Sequence, residues 1–438
     1  MTVQIRNLKA RRSSMRTLWL SIVLFSCGVF AASYESLDDV DVQAAVPASL
    51  SSGSNYTLDE VVSNDGFQNN YLIKTEYGDF SAAGSIDLRL RIKEVDALAY
   101  LEAMSKSAVF LNALKDAGID SVVAMSKAFM DPVKTVKGIP TGLMKMFTGY
   151  VDGAKKGVAT TQRFLDGTSG DAFDPAEFKK LNYMVSATER EWAAELSVDP
   201  YSTNLKLRSV VSDMAVIQFI GGLPVDFVIP AVGSFAVGVL EEVGDKVYSQ
   251  SAQDLEVVNR QCLTEIGVQD VDAFFDANYL TPTMHTMFCS AASLMTKVEG
   301  LSMFSDQLSG SQSFEQSRFV LRTLSLMAWH HKAVGEISSF MSDDGLPYAR
   351  TTSGDLLIVM PVDHVLWTET VATRIDHLSK YADENRLAQK SLWMLGQVSD
   401  RTREELARRD WQLKDRVTDE RIERVFQLGL SALRPEES

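Results

Sequence analysis

The chain has 438 residues, of which 45% are hydrophobic and 23% charged, and these proportions exclude a fibrous, collagen-like or wholly disordered polymer. Its 43 basic and 58 acidic residues give a formal net charge of −15, which has the wrong sign for a protein that binds nucleic acid over its whole surface. The length allows a large buried core and suggests about two or three domains.

The first 31 residues have the pattern of a secretory signal peptide. They contain five cations and no acid, followed by an apolar run from Leu18 to Phe30 and then by Ala31 and Ala32. A run of about 13 apolar residues is shorter than the roughly 20 that span a bilayer, so we expect cleavage before Ala32. An uncleaved anchor or a buried first helix is the alternative. Cleavage would change the net charge from −15 to −20.

The three cysteines allow two kinds of modification. Cys27 lies in Leu-Phe-Ser-Cys-Gly, which has the outline of a bacterial lipoprotein box, so lipidation at Cys27 is an alternative to simple cleavage. Cys262 and Cys289 form the only internal pair after cleavage, and an oxidising compartment would permit a disulfide between them. Two buried thiols in helices are the alternative.

The elements after residue 31 are predicted from composition and apolar spacing. Residues 32–56 are rich in Ser, Ala and Asp and are expected to form a flexible leader. A short hairpin is predicted at 69–84, and a second flanks Thr-Ser-Gly-Asp within 346–365. Three- and four-residue apolar spacing predicts helices at 85–104, 108–117, 175–196, 205–218, 255–266, 282–298 and 314–340, with further helices after Trp367.

These elements predict a mostly α (α+β) fold, a multi-helix bundle with two short β-hairpins that could join in one small antiparallel sheet. We expect a hairpin, an amphipathic helix and a basic segment over 57–170, a helical core over 171–345, and the second hairpin with C-terminal helices over 346–438. The nearly uncharged stretch 214–240 contains Pro224 and Pro230, which divide it into arms too short to span a bilayer. A buried helical hairpin is the leading interpretation of this stretch, and a membrane-inserted hairpin is the alternative.

Residues 127–163 reverse the charge of the surrounding chain. Seven cations stand against Asp131 and Asp152, giving a local charge of +5, and Met and aromatic residues are interleaved with them. Such a composition is typical of a helix lying among anionic lipid headgroups. Packing of the segment on an acidic face of the same protein is the alternative. The candidate membrane-binding residues are Lys127, Lys134, Lys137, Lys145, Phe147, Lys155, Lys156 and Arg163.

Motifs for catalysis are few. None of the five histidines has the spacing of a zinc hydrolase, and no Gly-rich phosphate loop, calcium loop or paired-cysteine zinc pattern occurs, so we predict neither a metal nor a cofactor. Asp363 and His364 follow the second hairpin and are the weak candidates for a pocket. The sequence leans towards a protein that is not an enzyme, although residues distant in sequence can assemble a site that no motif shows.

Three stretches resemble a loosely defined set of exported bacterial proteins that have no assigned activity. They are Pro-Val-Lys-Thr-Val-Lys-Gly at 132–138, Val-Asp-Pro-Tyr-Ser-Thr-Asn at 198–204 and Pro-Val-Asp-His-Val-Leu-Trp-Thr at 361–368. The resemblance covers most of residues 56–417. It implies one exported, mostly helical module with hairpin additions, and it supplies no catalytic or binding residue.

Together these observations predict an exported, periplasmic or envelope-associated protein that is not an enzyme and attaches peripherally to membrane through residues 127–163. Its expected partners are anionic lipid or another envelope protein, and nucleic acid is excluded. One alternative is a soluble periplasmic enzyme or small-molecule binder with a pocket near 346–365. Another is a structural or partner-binding module whose hairpin edges pair with a second chain.

Overall fold

A computed structural model describes residues 34–108, 110–112, 175–221, 238–343 and 345–417 of the chain. Within these ranges the first elements form an antiparallel sheet of five strands and a long helix. The central strand β4 pairs with β2 and β3 along one edge and with β5 along the other, and β1 pairs with β3. The elements are β1 (Val40–Asp41), α1 (Val42–Ala45), α2 (Ala48–Ser51), β2 (Thr57–Leu58), β3 (Val61–Asn64), β4 (Asn69–Thr75), β5 (Gly78–Ala83) and α3 (Gly84–Ser105).

The segment expected to be a flexible leader differs from that expectation over its described part. Residues 34–56 contain β1, α1 and α2, and they bury Val42, Val46 and Leu50 against the first sheet. Glu35 attaches the start of this segment to the far end of the chain. Its amide donates to the carbonyl of Trp367 at 2.9 Å, and its carboxylate accepts from the Trp367 amide and from Ser399 Oγ at 2.5 and 2.6 Å.

Helices make up the middle of the described chain, and several begin where the sequence offers a cap. Ser186 and Ser251 each form a capping box with an acidic residue three positions later, and Thr281 caps a helix that has Pro282 in its first turn. The helices are α4 (Pro175–Tyr183), α5 (Ala187–Glu195), α6 (Leu205–Gly221), α7 (Gly238–Ser249), α8 (Ala252–Glu265), α9 (Val271–Asp276), α10 (Pro282–Ser293), α11 (Ser302–Ser309) and α12 (Phe314–Ala333).

A second five-stranded sheet, in the order β12-β10-β8-β7-β6, follows the helices. Strands β6, β7 and β8 are antiparallel, whereas β8, β10 and β12 are parallel and are connected by α13 and α14. Every residue of β8 is buried, as expected for a strand covered on both faces. The elements are β6 (Ile337–Asp343), β7 (Leu346–Thr351), β8 (Leu356–Met360), β9 (His364–Val365), α13 (Glu369–Glu384), β10 (Lys390–Met394), β11 (Gln397–Val398), α14 (Asp400–Arg408) and β12 (Trp411–Lys414).

The predicted fold class is therefore wrong. Both hairpins are present, as β4–β5 and β7–β8, but each belongs to a larger sheet, and β9 pairs with β11 in a third. The helix predicted at 314–340 ends at Ala333 because residues 337–343 pair with β7 instead. The helix predicted at 175–196 is broken between Tyr183 and Ala187, where Ser186 caps a new helix. Tertiary strand pairing outweighed the local helical spacing.

Two hydrophobic clusters form the core. One joins the second sheet to helices α7 to α14, and the other joins the first sheet to α3, α5 and α6. In α3, the residues Leu88, Ile92, Val95, Leu98 and Leu101 recur at three- and four-residue spacing and are all buried, which confirms the predicted amphipathic helix. The opposite face of α3 is left to carry polar side chains.

Candidate functional site

Some of the predicted site residues lie outside the described ranges. These are the eight candidate membrane-binding residues, from Lys127 to Arg163, and the middle of the apolar stretch 214–240. Within the described helices, none combines the length and hydropathy needed to cross a membrane. No group of three or more His, Cys, Asp or Glu side chains in the described ranges is arranged to hold a metal ion.

Asp363 lies in the loop between β8 and β9 and is partly buried. Its carboxylate accepts from the Asn69 amide at 2.9 Å and from the Tyr71 hydroxyl at 3.1 Å, so it joins the second sheet to strand β4 of the first. Burial, with a smaller contribution from the negative charge of Asp65, raises the pKa of Asp363 to about 7. A Cβ at Gly396 would lie 2.1 Å from the Asp363 carbonyl oxygen, so only glycine permits this close approach of β11.

His364 is half-buried beside Asp363. Burial lowers the pKa of its imidazole. Its amide donates to the Phe67 carbonyl at 3.2 Å, and its own carbonyl accepts from Asn64 Nδ2 at 3.2 Å. The contacts of Asp363 and His364 are thus those of residues that connect the two sheets, and neither residue lines the cleft described below.

Two more carboxyl groups lie in the same region, those of Asp65, which is partly buried, and Glu315, which is buried. Asp65 lies in the turn between β3 and β4 and accepts from the amides of Phe67 and Gln68, and Gln68 in turn donates to Glu315 at the start of α12 at 2.9 Å. Burial raises the pKa of Asp65 to about 6. Burial, with the added charge of Asp65, raises the pKa of Glu315 to about 8. At pH 7 Glu315 therefore holds a proton that an ordinary carboxyl group has lost, whereas Asp65 is mostly ionised.

Next to these carboxyl groups, a buried aspartate on α3 forms ion pairs with two arginines of α12. Asp87 accepts from Arg318 at 2.9 Å and from Arg322 at 2.6 Å, both on α12. Burial alone would raise the pKa of Asp87, but the charges of Arg318, Arg322 and Arg91 outweigh it and hold the pKa below its ordinary value. Asp87 is consequently a carboxylate at neutral pH, and it links α3 to the helical core.

One turn further along α3, a second charged pair contacts the loop before α6. Arg91 binds Glu94 at 2.6 Å and donates to Thr203 Oγ1 at 2.7 Å. Glu94 also accepts from Ser202 and from Asn204 Nδ2. These hydrogen bonds explain why the segment 198–204, one of the three stretches that carry the resemblance, has so many polar side chains.

A cleft lies on the polar face of α3. It has a volume of about 430 Å³ and is bounded by α3 and the turn at residues 50–56. The turn is held by the amide of Gly53, which donates to the Tyr56 carbonyl at 3.0 Å, and by Asn55, whose side chain donates to Asp96 on α3 at 2.8 Å. A Cβ at Gly53 would lie 2.4 Å from the ring of Tyr56, so the ring packs directly on this glycine.

The lining of this cleft combines two cations, two tyrosines and an apolar floor. Arg89 and Lys93 lie one helical turn apart on α3. Tyr56 from the turn and Tyr100 from α3 also line the cleft, and the buried side chains of Leu50 and Ile92 supply its apolar part. Burial, and then the charge of Asp96, raises the pKa of Tyr56. Burial, and then the charge of Glu195, raises that of Tyr100. Both hydroxyls are therefore neutral hydrogen-bonding groups near pH 7.

Sequence reasoning did not identify the cleft, although a signal was present. Arg89, Lys93, Asp96 and Tyr100 follow one another at helical spacing on the polar side of the predicted helix 85–104. The turn at 50–56, which closes the cleft, lies in the segment predicted to be a flexible leader, so no partner for this face was predicted. The site becomes visible only when the turn and the helix are brought together.

Cys262 and Cys289 are both buried in the structure and are free thiols. They lie on neighbouring helices, α8 and α10, and their pairing stays a prediction. Comparison of the chain with family models, with curated proteins and with solved structures found no match.

Proposed function

We propose that this chain is an exported protein that binds a small molecule carrying a negative charge and a flat apolar body, in the cleft beside α3. The cleft volume of about 430 Å³ is the observation that carries the proposal, because small-molecule sites commonly enclose about 300–1,000 Å³. Such sites combine apolar walls with a few polar groups that orient the ligand, and the cleft has this composition. Export is supported by the signal-like residues 1–31.

Charge selects the class of ligand. Arg89 and Lys93 place two positive charges on the cleft wall, and Asp96, the one acid among the described lining residues, accepts a hydrogen bond from Asn55, so the described lining has a net positive charge. An anionic group would be attracted to this wall, and a planar apolar body could lie against Tyr56 and Tyr100. Binding, without chemistry, is the activity proposed.

The test uses 8-anilinonaphthalene-1-sulfonate as an anionic aromatic probe, with its dissociation constant measured by fluorescence titration. We expect Lys93→Glu to weaken binding by about tenfold or more, because reversing a charge within roughly 5 Å of an anion costs more than the about 1.4 kcal/mol that corresponds to tenfold. Ala99→Trp should abolish binding by filling the cleft, since Ala99 also lines it.

The matched control is Lys106→Glu, the same charge reversal on an exposed residue just after α3 and outside the cleft lining. Its dissociation constant should stay within about twofold of that of the wild type, because an exposed charge at a distance is screened by salt. Equal losses in Lys93→Glu and Lys106→Glu, or undiminished binding by Ala99→Trp, would show that the probe binds elsewhere.

We also propose that residues 127–163 attach the protein peripherally to anionic membranes. The supporting observation is the local charge of +5 in a chain of net charge −15, with Met and aromatic residues between the cations. Each lysine near an anionic surface contributes about 1 kcal/mol, so neutralising several should remove binding.

Flotation with vesicles of anionic lipid tests this attachment. We expect the wild type to float, and a variant in which Lys134, Lys137, Lys145, Lys155 and Lys156 are all changed to Gln to remain at the bottom. The matched control changes five exposed lysines of the described chain to Gln, namely Lys106, Lys180, Lys297, Lys332 and Lys380, and should float like the wild type. Equal behaviour of the two quintuple variants would contradict a specific role for 127–163.

A further inference from the structure

The two buried cysteines occupy matched positions on packed helices. Asn259 on α8 donates from Nδ2 to Thr286 Oγ1 on α10 at 3.0 Å. Cys262 and Cys289 each lie three residues further along these same helices, so both thiols are within about one turn of the Asn259–Thr286 contact.

Further contacts confirm that the thiols are neighbours. Cys289 Sγ lies 3.6 Å from the carbonyl oxygen of Asn259, which is itself in the turn of α8 that contains Cys262. Burial raises the pKa of the Cys289 thiol well above its ordinary value, and a hydrogen bond with Cys262 raises it further. Cys262 is 7% exposed and Cys289 3%.

We propose that Cys262 and Cys289 are a modification site that becomes an interhelical disulfide when the chain meets an oxidising disulfide, such as that of a thiol–disulfide oxidoreductase or glutathione disulfide. The proposal is independent of the cleft and of membrane attachment. A disulfide between two packed helices requires that the cysteines lie close together. The Asn259–Thr286 hydrogen bond and the contact of Cys289 Sγ with the Asn259 carbonyl hold α8 and α10 together at this point.

The exchange balances in two steps. The thiolate of one cysteine attacks a sulfur of the oxidant, forming a mixed disulfide and releasing the first thiol of the oxidant. The thiolate of the second cysteine then attacks the protein sulfur of the mixed disulfide, which forms the internal bond and releases the second thiol. Two electrons pass from the protein sulfurs to the oxidant, and the two protons end on the released thiols.

Burial determines whether the exchange occurs during folding or in the folded protein. Neither thiol is accessible in the folded protein, and a raised pKa makes Cys289 a poor nucleophile there. We therefore expect rapid oxidation during folding and slow oxidation of the folded, reduced protein. Because both thiols are already adjacent, the bond should raise the denaturant midpoint and not strain the helices.

The test refolds the reduced, denatured full chain in glutathione disulfide, blocks remaining thiols with N-ethylmaleimide and maps the peptides by mass spectrometry. The sequence between Arg260 and Lys297 contains no Lys or Arg, so trypsin leaves both cysteines in one peptide, which should lose about 2 Da and take up no maleimide. Cleavage after Glu265 should then leave its two halves joined until a reductant is added.

Three variants act as controls. Cys27→Ser should keep the link, whereas Cys262→Ser and Cys289→Ser should each leave the remaining cysteine of the pair blocked by maleimide or by glutathione. The denaturant midpoint should be higher under oxidising than reducing conditions in the wild type and in Cys27→Ser, and should not depend on the reductant in the other two. Full maleimide labelling of both residues after refolding, a link to Cys27, or a lower midpoint on oxidation would overturn the proposal.

Discussion

We expect Asp87→Ala to lower the free energy of unfolding by about 3–5 kcal/mol. Asp87 is the carboxylate between Arg318 and Arg322, whose side chains are only 18% and 15% exposed. Removing one partner of a buried ion pair costs this much because the remaining charge is left without compensation in a medium of low polarity. Here two guanidinium groups lose their common partner. Denaturant unfolding at pH 7, followed by circular dichroism, measures the change.

An exposed pair of the same chemistry provides the control. Asp276, whose side chain is 79% exposed, contacts Lys179 at 2.9 Å, close to the distances in the Asp87 pairs. We expect Asp276→Ala to cost less than about 1 kcal/mol because water and salt screen exposed pairs. Asp87→Asn should fall between the two, since the amide keeps the volume but not the charge. Equal costs for Asp87→Ala and Asp276→Ala would contradict the role assigned to burial.

The second large effect is on pH dependence: we expect the free energy of unfolding to fall between about pH 6.5 and pH 8. Burial raises the pKa of Asp65 to about 6, of Asp363 to about 7 and of Glu315 to about 8. In the unfolded chain these carboxyl groups lose their protons near pH 4. The folded state therefore binds more protons than the unfolded state in this window, and folding becomes less favourable as the pH rises.

For each group that is protonated only in the folded state, the free energy of unfolding should fall by about 1.4 kcal/mol per pH unit. The fall ends once the pH has passed the pKa of that group in the folded protein. Buried histidines have the opposite effect, because a lowered pKa makes the free energy of unfolding rise with pH. This effect is confined to pH values below the ordinary histidine pKa of about 6.5. His285, for example, has its pKa lowered to about 3 by burial. The window above pH 6.5 therefore isolates the carboxyl groups.

Amide substitutions test which groups are responsible. Glu315→Gln and Asp363→Asn imitate the protonated forms, so each should reduce the slope between pH 6.5 and pH 8, and the double variant should remove most of it. The exposed Glu299→Gln is the control and should retain the slope of the wild type. A wild-type stability that stays constant or increases across this window would show that these carboxyl groups are ionised in the folded protein.

Local sequence signals predicted the elements whose stability is local. The apolar spacing of α3, the Thr281-Pro282 start of α10 and the Ser399 cap of α14 each lie within a few residues of the element they define. Strands β10 and β12 carried no comparable signal. They have five and four residues, and their parallel partners are reached only across α13 and α14. Short strands in long-range parallel pairs cannot be distinguished from helix ends by spacing alone.

The candidate site also combines a local signal that the sequence shows with long-range contacts that it does not show. The spacing of Arg89, Lys93 and Tyr100 was available in the sequence, but the turn at 50–56 that completes the cleft depends on the contact of Asn55 with Asp96, 41 residues away. The buried carboxyl groups depend on still longer contacts, since Asp87 and Arg318 are 231 residues apart. Before these contacts are known, each residue is indistinguishable from an ordinary surface charge.

The attachment of Glu35 to Trp367 and Ser399 can form only late in synthesis. These hydrogen bonds join residues 332 and 364 positions apart. A chain leaves the ribosome or a translocation channel with its N-terminal end first. Glu35 is therefore exposed early, whereas its donors Trp367 and Ser399 follow more than 300 residues later. The residues next to Glu35 therefore stay unattached, and open to proteases or chaperones, until Trp367 and Ser399 have been delivered, whereas β1 needs only the nearby strand β3.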